Sequence, residues 1–494
     1  MWLTRKEPPP RPDTAGADSR STDLDAEQGG RSGFRRSVGL LSATAINMTQ
    51  MVGIGPFITI PLMVATFSGP QAIIGWIAGA LLAICDGLVW AELGAAMPGS
   101  GGTYLYLREA FQYRTGKLMP FLFIWTIVLT IPLIMSTGII GLEQYLAYFF
   151  PTLSFWPMHL IGVGATAVIV FLLYRRIESI KIITTALWIV MLVAVGLTIA
   201  ASYSNFHPSL AFHYPHGSFG PGFVTALGAG LLIAIYDYLG YNTVAYMGGE
   251  VRNPGRVMPR AIIISIVTIM VIYLVLNIGV VGALPWPSVA HSTSVASLVV
   301  TRNWGRTAAD IVTVLILVTA MASVFAGLLG GSRVPFHAAR EGLFLRVFGR
   351  LHPRYDFPHV SLLILGVITA AGSFFSLTTV INVLLAVIIW VQAVAQVVAL
   401  TVLRRRQPGL KRPYRQWLYP LPSLAALAGW LYVYASATLT ALVWSTIWLA
   451  AGVVAFLGWA RYHRTWPFGP KEIHEAFLQA EEEHPGPAAP TEAA

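Results

Sequence analysis

Two short clusters of glycine, proline and polar residues interrupt the long apolar stretches of this chain. They read Gln50-Met51-Val52-Gly53-Ile54-Gly55-Pro56 and Tyr236-Asp237-Tyr238-Leu239-Gly240-Tyr241-Asn242. A helix that breaks exposes backbone groups, and free amides at a helix N-terminus favour an anion. A buried carboxyl group such as that of Asp237 can attract an ammonium group or exchange a proton. The clusters therefore predict a site for a small charged molecule.

Proline chemistry predicts a helix break in the first cluster. Pro56 lacks an amide hydrogen and pushes the preceding Gly55 away from helical angles, yet proline is favoured where a new helix begins. We expect one helix to end near Val52 and a second to start at Pro56 after a short unwound stretch. For this cluster alone, a glycine kink that serves only helix packing is the alternative.

The composition excludes a soluble architecture. Hydrophobic residues make up 55% of the 494 residues and charged residues only 11%, whereas a soluble domain carries roughly 25% charged residues. The single cysteine, Cys85, rules out disulfides and cysteine-based metal clusters, and we expect no cofactor and no bound metal. An ATP-binding phosphate loop and a Ser-His-acid arrangement are both missing from the sequence, which argues against an enzyme.

The apolar stretches predict an all-α membrane protein with twelve transmembrane helices, because a span needs roughly 20 apolar residues. Their expected ranges are 38–67, 71–97, 117–148, 157–174, 182–203, 221–248, 260–284, 307–331, 360–378, 380–403, 418–437 and 439–460. We expect the ninth and tenth spans to turn at Ser376, Thr378 and Thr379, and the last two to meet near Ser436 and Thr438.

The basic residues predict the orientation in the membrane. Twenty Lys and Arg residues fall in the five loops on the side of the N-terminus, and only Arg302 and Arg306 fall in the loops on the other side. Positive charge collects in cytoplasmic loops, so both termini should be cytoplasmic in the cell membrane. The polar segments 1–37 and 461–494 then form a disordered N-tail and a C-tail. This distribution points to a lipid bilayer and away from nucleic acid as the partner.

The two breaks occupy matching positions in the two halves of the chain. Gly53 and Gly240 lie 187 residues apart, with five spans between the breaks. Interrupted helices at corresponding places indicate a transporter of inverted repeats with its site near the bilayer midplane. We expect two five-helix repeats at about 38–203 and 221–403, followed by two extra helices in 418–460.

Four short motifs follow one another along the chain. They are Val52-Gly53-Ile54-Gly55-Pro56-Phe57, Ala91-Glu92-Leu93-Gly94-Ala95-Ala96-Met97-Pro98, Gly249-Glu250-Val251-Arg252-Asn253-Pro254 and Ala339-Arg340-Glu341-Gly342. With these motifs in this order, the chain resembles the amino acid–polyamine–organocation superfamily, which has the LeuT-type fold. The resemblance covers about 38–460.

The resemblance implies which groups bind substrate. Amides of Ile54 and Gly55 would hold its carboxylate, and carbonyls of Met51, Tyr236 and Leu239 would hold its ammonium group. Tyr236 would act as an aromatic gate, although a tyrosine in an arbitrary helix usually only packs. The remaining expected binding residues are Gly53, Asp237, Gly240 and Asn242.

Several positions depart from the superfamily pattern. Pro56 removes one amide, and Gly-Pro-Phe at this point is closer to the polyamine-transporting branch. The fifth span carries no lysine beyond Lys181 at its cytoplasmic end, and Ser323 is the one obvious hydroxyl for a sodium site. Proton symport or exchange is therefore expected over sodium symport.

Three further acidic residues lie within predicted spans. The sequence allows two roles for Asp86: it faces a polar cavity, or it joins a buried hydrogen-bonded pair. We include it with Ser323, Tyr236 and Asp237 as a coupling or gating candidate. Glu92 is expected to have a structural role, and Glu143 is expected at the membrane interface.

Together these features predict a secondary active transporter of amino acids. The alternatives are a polyamine or organic-cation transporter of the same fold and a transporter-like nutrient sensor. Labelled substrate separates these classes, because a sensor would bind it without accumulating it.

Overall fold

We describe the protein from a computed structural model, which covers residues 36–99, 101–174, 180–214, 217–352 and 357–463, without the side chains of 180–187. The predicted tails at 1–37 and 461–494 lie almost wholly outside the described residues, as do Arg175, Arg176 and Arg354 of the loops predicted to be cytoplasmic. Apart from one isolated bridge between Val38 and Val251, the described residues form helices and irregular connections.

The first half of the chain contains the first broken helix and the helices that surround it. In chain order these helices are α1 (Leu40–Val52), α2 (Gly55–Phe67), α3 (Ala72–Ala96), α4 (Thr103–Thr115), α5 (Leu118–Leu146), α6 (Phe155–Leu173), α7 (Ile180–Tyr203) and the short α8 (Pro208–Phe212).

The second half begins with the second interrupted helix. Its helices are α9 (Gly222–Tyr238), α10 (Thr243–Tyr246), α11 (Pro254–Ala283), α12 (Trp286–Ala290), α13 (Val295–Trp304), α14 (Arg306–Gly331), α15 (Arg333–Arg340), α16 (His359–Gly372), α17 (Leu377–Ile388), α18 (Ala395–Arg406), α19 (Leu421–Ala435) and α20 (Leu439–Tyr462). Two 3₁₀ turns lie at Gly248–Glu250 and Arg346–Gly349, and a π-helical segment, Ile389–Val394, joins α17 to α18.

Among the described residues, seven helical stretches are long and apolar enough to cross a membrane, and the bent pair α1 and α2 forms an eighth candidate. Four shorter apolar helices of 10–17 residues lie at Trp188–Tyr203, α9, α16 and α19. The protein is therefore a helical membrane protein, and each of the twelve predicted spans contains an apolar helix.

The two broken helices lie inside the bundle. α9 packs against α2 and α3, while α11 packs along both α1 and α3. Almost every residue of α2 is buried. By contrast α6 and α20 are mostly exposed, with large apolar side chains on their outer faces such as Leu160, Phe171, Trp444 and Val454. Apolar surface of that extent is expected where a helix faces lipid.

The turn between the ninth and tenth predicted spans differs from the expectation. α16 already ends at Gly372, and the turn occupies residues 373–376. Ser376 caps α17 by accepting a hydrogen bond from the Thr379 amide at 3.2 Å, so Thr378 and Thr379 lie in the first helical turn. An N-terminal serine cap satisfies one of the free amides of a helix. The meeting point of the last two spans near Ser436 and Thr438 is confirmed.

Candidate functional site

The first break lies where the proline pattern predicts it. α1 ends at Val52, α2 begins at Gly55, and the two helices are bent by 50°. Gly53 has a φ of 36°, in the region that favours glycine. Within the described chain, the amides of Gly53, Ile54 and Gly55 donate no hydrogen bond. Three free amides at the start of α2 make this stretch suitable for an anion.

The second break follows α9. The helix ends at Tyr238, Leu239 is extended, and Gly240 has a φ of 115° before α10 begins at Thr243. A Cβ atom on Gly240 would lie 2.7 Å from Gln50 Cβ and 3.1 Å from the Met51 amide nitrogen. The two breaks are therefore in direct backbone contact, although 187 residues separate their glycines.

Tyr273 of α11 links the two breaks. Its hydroxyl lies 2.7 Å from the Met51 carbonyl and 3.2 Å from the Asp237 carbonyl, and it donates its proton to these acceptors. Tyr273 is fully buried and packs edge-on against Trp76 of α3. One side chain of the seventh span thus holds the ends of α1 and α9 together.

Asp237 lies against the first turn of α2. It is 2% exposed, and one of its carboxyl oxygens accepts a hydrogen bond from the hydroxyl of Thr59, which is also 3.0 Å from the Gly55 carbonyl. Among the described residues the other oxygen, Oδ1, has no hydrogen-bond partner, and it occupies the space that a Cβ atom on Gly55 would take. The carboxyl group therefore faces the start of α2, beside the free amides.

Tyr236, like Asp237, lies beside Gly55. Its ring lies 3.8 Å from where a Cβ atom on Gly55 would be, and its hydroxyl is 2.5 Å from Thr137 Oγ1 on α5. The tyrosine thus spans from the first break to the fifth helix of the structure. That position suits the predicted gate, whose role stays a prediction.

Ser323 and Asn242 lie at the edges of this site. Ser323 Oγ is 3.4 Å from the position of a Cβ atom on Gly53, and it donates to the Thr319 carbonyl at 3.0 Å. Asn242 precedes α10, and its carbonyl accepts the Ala245 amide at 2.9 Å.

Two of the three carbonyls expected to be free are already occupied. The Met51 carbonyl accepts from Tyr273, and the Tyr236 carbonyl accepts from the Leu239 amide at 3.2 Å. Among the described residues, none donates a hydrogen bond to the Leu239 carbonyl. The expectation of unpaired carbonyls is therefore wrong for Met51 and Tyr236, because each finds a donor once the helices pack.

Asp86 belongs to a separate hydrogen-bonded group, apart from Asp237 and Tyr236. Its two carboxyl oxygens accept from Tyr241 Oη at 2.5 Å and from Trp430 Nε1 at 3.0 Å. Of the two roles left open by the sequence, the structure gives it the buried hydrogen-bonded pair. These bonds join α3 to α19 and to the second break.

Glu143 is buried within the protein. It is 5% exposed, and its Oε2 is 2.8 Å from His159 Nδ1 on α6. It lies in the last turn of α5, and its expected position at the membrane interface stays a prediction. The partner on α6 is one that the sequence of α5 cannot reveal.

Glu92 anchors the C-terminal end of α3. Its carboxylate accepts from Arg404 Nε at 2.8 Å, from Arg404 Nη2 at 2.5 Å and from the Gln416 amide at 2.7 Å, with Arg412 Nε 3.7 Å away. Burial lowers the pKa of the Arg412 guanidinium, while the charge of Glu92 acts in the opposite direction. These contacts fit the expected structural role, since they hold the loop after α18 against α3.

Sequence reasoning missed four residues of the site: Thr59, Thr137, Tyr273 and Asn47. Thr59 could have been found, because it lies one helical turn after Gly55. Asn47 accepts the Val244 amide at 2.9 Å, so it joins α1 to α10. Thr137 and Tyr273 carry no local signal, since polar residues of this size are common in long spans.

Comparison with known proteins decides the family. The family model described as amino acid permease matches residues 38–468. This chain belongs to the amino acid permease family. It is 26% identical over 474 residues to the branched-chain amino acid permease BcaP of Bacillus subtilis, covering 89% of this chain and 96% of that one.

Two further relatives of this amino acid permease also come from Bacillus subtilis. This chain is 27% identical to the serine/threonine exchanger SteT, over 83% of this chain and 92% of that one. It is also 27% identical to the aspartate-proton symporter, over 67% and 65% of the respective chains. The predicted membership of the amino acid–polyamine–organocation superfamily is thereby confirmed.

Proposed function

We propose that this permease is a secondary active transporter that moves amino acids across the cell membrane by proton symport or exchange. All twelve predicted spans would cross the bilayer as two inverted five-helix repeats plus two extra helices, with both termini in the cytoplasm. The relatives support amino acids as the substrate class, since they are a branched-chain permease, a serine/threonine exchanger and an aspartate-proton symporter by name.

The substrate would bind where the two breaks meet. The observation that carries this proposal is the group of three free amides at residues 53–55, which lies beside the buried carboxyl group of Asp237. The amides would receive the substrate carboxylate, and the free Leu239 carbonyl would receive its ammonium group, with the Asp237 carboxyl group next to the amides. Gly240 and Asn242 would shape the second break, with Tyr236 as the gate and Ser323 at the edge.

The polyamine or organic-cation alternative rests on one observation. Asp237 is a buried carboxyl group at the site, and a substrate with no carboxylate of its own could use it as the only anionic partner. An amine substrate would then compete with amino acids for the same place.

The test is uptake of labelled amino acids into proteoliposomes, preceded by a thermal-shift screen of the twenty amino acids, putrescine and spermidine. A bound ligand raises the melting temperature of the native protein by mass action. We expect amino acids to bind and to accumulate. Binding without accumulation would indicate a sensor, and binding of amines alone would indicate the organic-cation transporter.

A glycine variant tests the location of the site. Gly55→Leu places a side chain on Asp237 and in front of the free amides, so we expect it to abolish substrate binding while membrane insertion stays normal. Gly164→Leu is the matched control, because nothing lies within 4 Å of a Cβ atom there. Wild-type affinity in Gly55→Leu would contradict a substrate site at residues 53–55.

A further inference from the structure

The position of the Asp237 carboxyl group limits what else the first break can hold. Its Oδ1 lies where a Cβ atom on Gly55 would be, and it belongs to a side chain that is 2% exposed. In the part of the chain that the structure describes, this oxygen has no hydrogen-bond partner. The run of free amides of Gly53, Ile54 and Gly55 ends at the same glycine. The carboxyl group and any anion held by these amides must therefore be close neighbours.

The helices packed around Asp237 supply no positive charge to neutralise it. α1, α2, α9, α17 and α19 contain no charged residue other than Asp237 itself. α3 contributes only Asp86 and Glu92, which are both acidic and both bonded elsewhere. On α11 the basic residues are Arg256 and Arg260, and Arg260 lies roughly 20 Å along the helix from Tyr273.

The other titratable groups near Asp237 are tyrosines. Tyr236 donates or accepts toward Thr137, Tyr273 bonds to backbone carbonyls, and Tyr238 lies near the Trp76 carbonyl at 3.5 Å. None of them offers a cation. The ionised form of Asp237 thus has Thr59 as its one hydrogen-bond donor among the described residues.

Two negative charges within about 4 Å of each other repel strongly where water is excluded, and one of two such carboxylates normally takes up a proton. We propose that the site selects its substrate class by the protonation state of Asp237: it accepts a carboxylate-bearing amino acid when Asp237 is protonated, and an amine without a carboxylate when Asp237 is ionised. This inference rests on the proposed function of the same site.

Once protonated, Asp237 no longer repels the substrate carboxylate and can donate a hydrogen bond to it. Each amino acid that binds to the ionised site then carries one proton in with it. By linkage, the affinity for an amino acid rises as the pH falls, by up to about tenfold per pH unit above the midpoint of the titration. The affinity for an amine changes in the opposite direction.

The experiment measures binding to the purified full-length protein between pH 5 and pH 9. The probes are leucine and serine with the amines formed by their decarboxylation, isoamylamine and ethanolamine. We expect amino acid affinity to fall and amine affinity to rise as the pH increases. In weakly buffered solution above the midpoint, amino acid binding should take up one proton and amine binding none.

The variant Asp237→Asn keeps the size of the side chain and removes its charge. We expect it to bind the amino acid equally at pH 5 and pH 9 and to bind the amine at least tenfold more weakly than the wild type does at pH 9. Asp310→Asn is the matched control, because Asp310 is exposed and pairs with Arg306 far from the breaks, and it should keep the wild-type pH profile.

Two results would overturn the inference. If wild-type protein binds leucine or serine with the same affinity across the pH range, Asp237 does not compete with the carboxylate, and the proposed transport function stands. If none of the twenty amino acids binds at any pH, both the inference and the amino acid substrate class are wrong. The wild-type profile decides the question even if Asp237→Asn fails to fold.

Discussion

Gly240 brings the second break into contact with the first at a distance that leaves no room for a side chain. Its φ of 115° is strained for any other residue, and a Cβ atom would lie 3.0 Å from the Gln50 carbonyl carbon. Because the obstacle is backbone, it cannot rotate away as a side chain would. The close contact between the two breaks therefore requires a residue without a side chain at position 240.

We expect Gly240→Ala to push the two breaks apart. The positive φ alone costs about 1–2 kcal/mol, and the contact with Gln50 and Met51 adds to it. The variant should therefore melt at a lower temperature in detergent and lose most of its uptake activity.

Gly305→Ala is the control for that experiment. Gly305 also has a positive φ, of 88°, but nothing lies within 4 Å of a Cβ atom there. The Gly305→Ala variant should have a lower melting temperature because of the backbone strain, but its uptake should be nearly normal. Equal losses of uptake in the two variants would mean that the contact between the breaks is unimportant.

At the scale of helices, the site is held by hydrogen bonds between elements that are far apart in sequence. Tyr273 joins α11 to the ends of α1 and α9, and Tyr236 joins α9 to α5. Asn47 joins α1 to α10. Side chains thus replace the backbone hydrogen bonds that the broken helices have lost.

Tyr273→Phe should loosen both breaks at once. Removing the hydroxyl leaves the buried Met51 carbonyl without its donor, which costs about 1–3 kcal/mol. We expect a lower melting temperature and weaker substrate binding, measured on the purified protein by thermal unfolding and by ligand titration.

Tyr238→Phe provides the comparison for Tyr273→Phe. The hydroxyl of Tyr238 is also buried, but its partner, the Trp76 carbonyl, is 3.5 Å away. This weaker contact should make the loss of stability small and leave substrate affinity unchanged. If Tyr238→Phe has the larger effect on affinity, the link through Tyr273 is not what holds the site.

At the scale of the whole molecule, charge is confined to the surface regions and to a few buried groups. The described basic residues cluster at helix ends and in the loops, where Glu92 binds Arg404 and lies near Arg412. In the interior, Asp86 is satisfied by two donors, while Asp237 has one oxygen without a hydrogen-bond partner among the described residues. The proposed coupling to a proton would use this carboxyl group.

Uptake into proteoliposomes should therefore persist when choline replaces sodium. The fifth span carries no lysine, and the Ser323 hydroxyl beside the first break already donates within its own helix. We expect rates within about twofold of those in sodium, a difference of about 0.4 kcal/mol. A strict requirement for sodium would show that transport is coupled to sodium, which contradicts proton symport or exchange.

The sequence by itself determined the helical membrane architecture and the place of both breaks. Bilayer thickness sets the length of an apolar helix, and proline and glycine act on their own neighbours, so these features are readable locally. The end of α1 at Val52 and the interruption after Tyr238 follow from such rules. The family followed from short motifs in the correct order.

Only the tertiary structure decided which polar groups meet. It placed Asp237 against Gly55, gave the Met51 carbonyl to Tyr273, and brought Glu143 of α5 next to His159 of α6. Each of these contacts joins different helices, and it depends on how the helices are rotated and packed. A buried polar group takes the donor or acceptor that packing brings to it, and the pattern within one span cannot show that partner.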